Sequence, residues 1–262
     1  MNVITSFSEK GYEMYGKRFV ETFLEHWPES SKLTIYAETP LKIDNDRVEV
    51  VDLFKYEGVT DFLSRIQNSD KIYQGVRPGK DKDGKQVDMY DYRYDAYRFC
   101  RKVFAMTEFA SRTEGKFMWL DADIITHTDV PETLLDDILP DDKFTAYLGR
   151  EWAHSETGFI AFNMKHEQAA LFMGAFDNAY KSGSFRFLGE WHDCYVFDMI
   201  RELLDIEAVD LAEGMHMEHP FVNTVLGKYM DHLKGPERKK AGKSHDRDVM
   251  VDHKVPYWRK SA

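Results

Sequence analysis

The six positions from Asn2 to Phe7, with Val3, Ile4, Thr5 and Phe7 apolar or β-branched, predict a strand, followed by a polar break at Ser8-Glu9-Lys10-Gly11. Tyr12, Tyr15, Phe19, Val20, Phe23, Leu24 and Trp27 then recur at helical spacing, and Pro28 closes the segment. Leu33 to Ala37 and Val48 to Leu53 are short β-branched runs, separated by the turn formers Thr39-Pro40 and Asp44-Asn45-Asp46. The chain therefore opens βαββ.

From Gly75 to Gln86 the sequence is Gly, Pro, Lys and Asp with almost no apolar residue, which predicts a surface loop. A long helix follows, with Ala96, Phe99, Cys100, Val103, Phe104 and Ala110 as its buried stripe and Arg98, Arg101 and Lys102 as cationic positions around it. Phe117-Met118-Trp119-Leu120 is a continuous apolar run, the pattern of a strand buried on both faces, and it ends at Asp121-Ala122-Asp123. Phe144 to Gly149 and Gly158 to Phe162 read as further strands; Ala169 to Tyr180 and Val196 to Leu204 read as helices. No repeat period and no linker divides the chain.

At 262 residues, 43% hydrophobic and 14% aromatic, the chain can bury a large core, which excludes wholesale disorder. Its formal charge of −11 argues against a general polyanion binder. Two cysteines, Cys100 and Cys194, make no disulfide framework and favour a reducing compartment. No basic region precedes Val3-Ile4 and no run reaches the roughly 20 apolar residues of a membrane helix, so a cytoplasmic protein is expected. The five Lys and Arg residues from Lys234 to Lys243 leave two readings open, a solvated tail and a peripheral membrane contact.

Two carboxylates one residue apart at a strand's end, Asp121 and Asp123, can present oxygens to one hard divalent cation; they also suit an ordinary polar strand exit. Their context favours the first. Phe117 to Ile125 resembles the core of the GT-A glycosyltransferases, whose DXD motif ends a hydrophobic strand. It is most similar to the retaining group that contains bacterial lipopolysaccharide galactosyltransferases and glycogenin. Tyr97-Arg98, Glu156-Thr157-Gly158-Phe159-Ile160-Ala161-Phe162-Asn163 and His232-Leu233-Lys234-Gly235 resemble further motifs of that group, in the same order.

The resemblance implies an α/β fold, a GT-A (Rossmann-like) mixed sheet flanked by helices, as a single domain over 1–240 with a C-terminal tail over 241–262. It implies Mn²⁺ or Mg²⁺ held by Asp121, Asp123 and His232, a UDP-sugar donor, and transfer of a hexose to an acceptor hydroxyl with retention. Arg98 would meet the nucleotide sugar, and the Arg238-Lys239 pair would neutralise phosphate oxygens. Gly235 would let the backbone approach the diphosphate closely. Ser6, at the end of the first strand, would bond the nucleoside. Tyr12 would either stack on the base or pack in its helix's apolar stripe. Asp193 and Glu156 are the catalytic candidates, with helix capping the other reading for Asp193, and Trp191 would offer a platform for a sugar ring.

The chain also departs from the group. Arg238-Lys239-Lys240 stands for the usual Lys-Pro-Trp, Glu156 for an asparagine, and Gly189-Glu190-Trp191-His192-Asp193 for Asp-Gln-Asp. Two other functions stay open: a non-catalytic nucleotide-sugar or glycan binding module, and a sugar-phosphate nucleotidylyltransferase. The acceptor, whether glycan, lipid-linked, protein or nucleic acid, is undetermined, with the 75–86 loop and Tyr257-Trp258 as candidate contacts. The oligomeric state is equally open.

Overall fold

The structure is a computed structural model and describes residues 1–67, 71–215, 219–251 and 253, with Gln67 as backbone alone. Tyr257 and Trp258 lie outside the described residues. Strand β1 (Asn2–Phe7) leads straight into helix. The expected polar break is in fact the cap and first turn: the Ser8 hydroxyl accepts from the Gly11 amide at 3.2 Å, and the helix starts at Glu9. It runs through α1 (Glu9–Gly11), a π-helical turn (Tyr12–Gly16) and α2 (Lys17–His26). A side chain at Gly16 would come within 3.1 Å of the Phe7 ring, so glycine lets this helix lie close against the end of β1.

The chain continues through β2 (Lys32–Ala37), β3 (Val48–Asp52) and α3 (Glu57–Gln67), a helix the sequence pattern did not predict, which buries Val59, Phe62 and Ile66 on one face. The expected surface loop is instead an antiparallel hairpin, β4 (Val76–Lys80) with β5 (Gln86–Tyr90). Its residues are largely exposed, so no apolar alternation marks it. Its turn chemistry does the work: Asp81 Oδ1 accepts from the amides of Asp83 and Lys85, each at 2.9 Å, and Gly84 takes a left-handed φ of 78°.

Then follow α4 (Ala96–Ser111), β6 (Lys116–Leu120), β7 (Ile124–Thr126), α5 (Leu134–Ile138), β8 (Thr145–Tyr147), β9 (Phe159–Asn163), α6 (Ala169–Lys181), α7 (Asp193–Leu203), β10 (Ala208–Asp210), β11 (Met230–His232) and α8 (Gly235–Ala241). Seven strands form one sheet in the order β10-β8-β9-β6-β1-β2-β3, with β9 antiparallel to both neighbours and every other pairing parallel. Period-two alternation divides β6 between two cores: Phe117 and Trp119 pack with α4, α6 and α7, while Met118 and Leu120 pack with α2 and α5. The expected α/β class, a mixed sheet flanked by helices, is the one observed. Among the described residues no helix is long and apolar enough to cross a membrane.

The chain reverses direction across the sheet at β1, whose neighbours are β2 on one side and β6 on the other. Loops leaving the carboxyl ends of β1 and β6 diverge there and open a crevice. A second, two-stranded sheet closes one side of it. In that sheet β11 runs antiparallel to β7, with His232 opposite Ile124. The segment after α8 is tied beneath this ribbon: buried Asp231 accepts from the Ser244 amide at 2.7 Å and from its hydroxyl at 2.6 Å. Replacing Asp231 with Ala strands the buried Ser244 amide and leaves the hydroxyl with His219 Nε2 at 3.2 Å, and the expected loss is about 1–3 kcal/mol. A chemical denaturation midpoint that does not move would contradict this tether.

Candidate functional site

The crevice is a cavity of about 730 Å³, within the usual range for small-molecule sites. Ser6, Phe7 and Ser8 from the end of β1 line one wall, Arg98 and Lys102 from α4 another, and Asp121 and Asp123 the floor. Thr157 and Gly158, Asp193, His232, Lys234 and Lys239 are among the other residues that line it.

Each acidic side chain at the end of β6 is oriented by identifiable partners. The Trp119 indole and the Lys102 ammonium both donate to Asp121 Oδ1, at 2.7 and 2.9 Å. The other oxygen, Oδ2, is left facing His232 Nε2 at 3.9 Å. Asp123 Oδ1 lies 3.1 Å from the same imidazole nitrogen, and its Oδ2 pairs with Lys239 at 2.8 Å. The β7–β11 register brings His232 here, and the Leu233 amide donates to the Asp123 carbonyl at 3.0 Å. One ligand atom from each of Asp121, Asp123 and His232 lies within 4.8 Å of the other two. Two carboxylate oxygens and one imidazole nitrogen suit Mn²⁺ or Mg²⁺, so the donor set fits the ion that the sequence motif implies.

The far side of the imidazole is held by Glu156. His232 Nδ1 sits 2.7 Å from Glu156 Oε1, and Lys234 lies 3.4 Å from Oε2. Glu156 also lines the cavity, but it is 2% exposed with both oxygens engaged, on the side of the imidazole away from Asp123. Gly158 makes room for the ring: a Cβ there would meet His232 Cε1 at 2.5 Å. Burial disfavours charge on His232, but Asp123 and Glu156 on either side more than offset it and raise its pKa to about 10. Burial likewise opposes ionisation of Asp123 and Glu156; the facing cations hold both below the usual carboxylate range.

Lys102 is the functional residue that the sequence pattern missed. It belongs to the cationic positions around the α4 stripe, yet its side chain is only 11% exposed. Its ammonium reaches Asp121 at 2.9 Å, Asp193 at 3.0 Å and the Thr157 carbonyl at 2.5 Å. Burial would lower its pKa; Asp121 and Asp193 overcome that and raise it. The available signal was its place one helical turn after Arg98, on the same face. Asp193 is not the helix cap: His192 occupies that position without a side-chain cap bond, and Asp193 is the first helical residue. The Thr157 hydroxyl donates to Asp193 Oδ2 at 2.6 Å, and Lys102 outweighs burial to keep the Asp193 carboxyl below its ordinary range. The neighbouring Cys194 thiol is pushed by burial up to about 12, so it stays protonated.

Several expected roles fall elsewhere. Tyr12 packs against Phe7, ring centroids 5.6 Å apart, and does not line the cavity; Tyr15, three residues on, does. Trp191 is buried among Tyr73, Tyr94 and Phe185 and offers no platform for a sugar. Arg238 does not line the cavity: its Nε and Nη2 donate to Asp248, each at 2.7 Å, and its Nη1 donates to the Lys234 carbonyl at 3.0 Å. Gly235 has a left-handed φ of 81° at the start of α8 but does not line the cavity either; the neighbouring Lys234 does. Ser6, Arg98 and Lys239 line it as expected.

No protein-family model matches this sequence, and no curated protein matches it. Among solved structures the chain is similar to mouse xyloside xylosyltransferase 1 in its apo form, with 13% identity over 80% of this chain and 85% of that one and a TM-score of 0.47. It is also similar to the apo structure of the bifunctional glycosyltransferase WbbM, with 11% identity over 90% of this chain and a TM-score of 0.47. The matched part spans 46% of WbbM's length.

Two outcomes follow from the site's geometry. Gly158→Ala forces the His232 ring off its two carboxylates, and isothermal titration should show Mn²⁺ binding weakened by about tenfold or more; unchanged affinity would contradict the close contact. In metal-free protein, a histidine raised from 6.5 to about 10 contributes stability in full below pH 6.5 and loses it as pH rises towards 10. Thermal melting across that window should fall in wild type and fall less in His232→Gln. Parallel curves would contradict the buried ion pairs.

Proposed function

We propose that this chain is a metal-dependent hexosyltransferase, moving a hexose from a UDP-sugar to an acceptor hydroxyl with retention. One observation carries the reading: two carboxylates and an imidazole converge on a cavity of nucleotide-sugar size that is also lined by Arg98, Lys234 and Lys239. Breaking the sugar–phosphate bond develops negative charge on the departing diphosphate, and cations fixed where that charge appears lower the barrier. A divalent ion bound by Asp121, Asp123 and His232 supplies Lewis-acid stabilisation of that diphosphate.

The chain's own residues take the remaining roles. Lys239 exchanges Asp123 for a phosphate oxygen, and Lys234 and Arg98 supply further positive charge at the cavity wall. The hydroxyl of Ser6 and the ring of Tyr15 flank the nucleoside. Asp193 faces the sugar as an ionised carboxylate: Lys102 keeps it deprotonated, which suits stabilisation of positive charge at the anomeric carbon and makes it a poor proton acceptor. The acceptor's proton then passes to the leaving phosphate.

The test is UDP release from a panel of UDP-sugars by the purified chain with Mn²⁺. Release is expected with at least one donor, and Asp123→Asn should lower it by about 10²-fold or more. Tight donor binding with neither hydrolysis nor transfer would favour a binding module, and pyrophosphate release from UTP and a sugar phosphate would favour a nucleotidylyltransferase. Absence of any nucleotide-sugar binding would overturn the proposal.

A further inference from the structure

Outside the cavity a second group of metal-ligating side chains comes together, chemically unlike the first. One ligand atom from each of His154, Glu190 and His192 lies within 4.8 Å of the other two. Both imidazoles approach the same carboxylate oxygen: His192 Nε2 is 2.7 Å and His154 Nε2 is 3.5 Å from Glu190 Oε2. Four tetrahedral ligands at zinc distances stand about 3.4 Å apart, so one contact already has that spacing and the other opens by about 0.7 Å.

The surroundings support the same orientation. Asp198 Oδ2 lies 3.9 Å from His154 Nδ1, on the side to which a metal-bound imidazole turns its remaining N–H. Asp198 is itself fixed by the Ser155 amide at 2.7 Å and hydroxyl at 2.5 Å. The Tyr195 ring sits 4.8 Å from the His154 ring, edge-on, and limits its rotation. The side chain of His192 is 4% exposed, those of Glu190 and His154 21% and 37%, so the cluster is anchored at its inner end and reachable from solvent at its outer end.

We propose that His154, Glu190 and His192 bind a borderline transition-metal ion of the Zn²⁺ class, separate from the ion proposed at the cavity. Two imidazoles and one carboxylate form the donor set Zn²⁺ favours and Mg²⁺ does not. The ion clips together two loops, one at residues 150–155 and one at 188–192. Both are continuous with the cavity wall. Arg150, which lines the cavity, donates to the His154 carbonyl at 2.6 Å, and His192 adjoins Asp193. The clip therefore fixes the part of the cavity lining that Arg150 and Asp193 supply, and it does not depend on the proposed sugar transfer.

The experiment is calorimetric titration of the chelator-stripped 262-residue chain with Zn²⁺ alone, in an Asp123→Asn background that disables the cavity ligands. One Zn²⁺ per chain is expected, with a rise in melting temperature. Adding His154→Ala, or the shape-preserving Glu190→Gln, should weaken that binding about tenfold or more. An Asp123→Asn protein that binds no Zn²⁺, or binds it equally well with His154→Ala, overturns the site. Should Asp123→Asn not fold, wild type is compared with His154→Ala: loss of one of two Zn²⁺ ions is expected, and unchanged stoichiometry and affinity overturn the proposal.

Discussion

A buried ammonium held between two carboxylates fixes the geometry of the cavity. Lys102 reaches from α4 to Asp121 at the end of β6, to Asp193 at the start of α7 and to the Thr157 carbonyl just before β9. Four elements from distant parts of the chain therefore share one charge centre. Asp193 is buried at this centre, so without the cation its carboxylate would be left uncompensated, and breaking such a buried pair typically costs about 3–5 kcal/mol. The arrangement also has a direction. By taking Oδ1 of Asp121, together with the Trp119 indole, Lys102 leaves Oδ2 towards His232.

A second chain of charge runs through His232, from Glu156 behind to Asp123 in front and on to Lys239. Every charged member of the cavity floor thus has a partner in the protein alone. On the proposed reading these pairs are exchanged when a metal and a diphosphate arrive, with the imidazole giving up its proton and Lys239 passing from carboxylate to phosphate. The acidic character of the chain as a whole, −11, contrasts with the cations Arg98, Lys102, Lys234 and Lys239 that line the cavity.

How much of this was legible in the sequence depends on the range of the interaction concerned. The β6 run was legible because a strand buried on both faces leaves a continuous apolar signature, and its Asp-Ala-Asp exit followed. His232 could be singled out only through its motif, since its place opposite Ile124 depends on the register of a ribbon joining segments more than a hundred residues apart. The Lys102 pairs were illegible for the same reason: a lysine beside an apolar stripe looks solvated until α7 and β9 are packed over it. Tyr12 and Tyr15 both fit the helical stripe and both lie in the π-helical turn, and only the packing of Tyr12 on Phe7 separates the ring that reaches the cavity from the one that does not. The β4–β5 hairpin was hidden because its stability lies in backbone pairing and a turn, with no buried face to impose alternation.

The central claim is that Asp121, Asp123 and His232 close on a single divalent ion that carries a diphosphate. Anomalous diffraction from crystals soaked with Mn²⁺ and UDP tests it most directly. The account predicts one strong peak within bonding distance of Asp121 Oδ2, an Asp123 oxygen and His232 Nε2, with the diphosphate between it and Lys239. A peak elsewhere, or a His232 ring still bonded to both Asp123 and Glu156 with UDP bound at a distance, would contradict it.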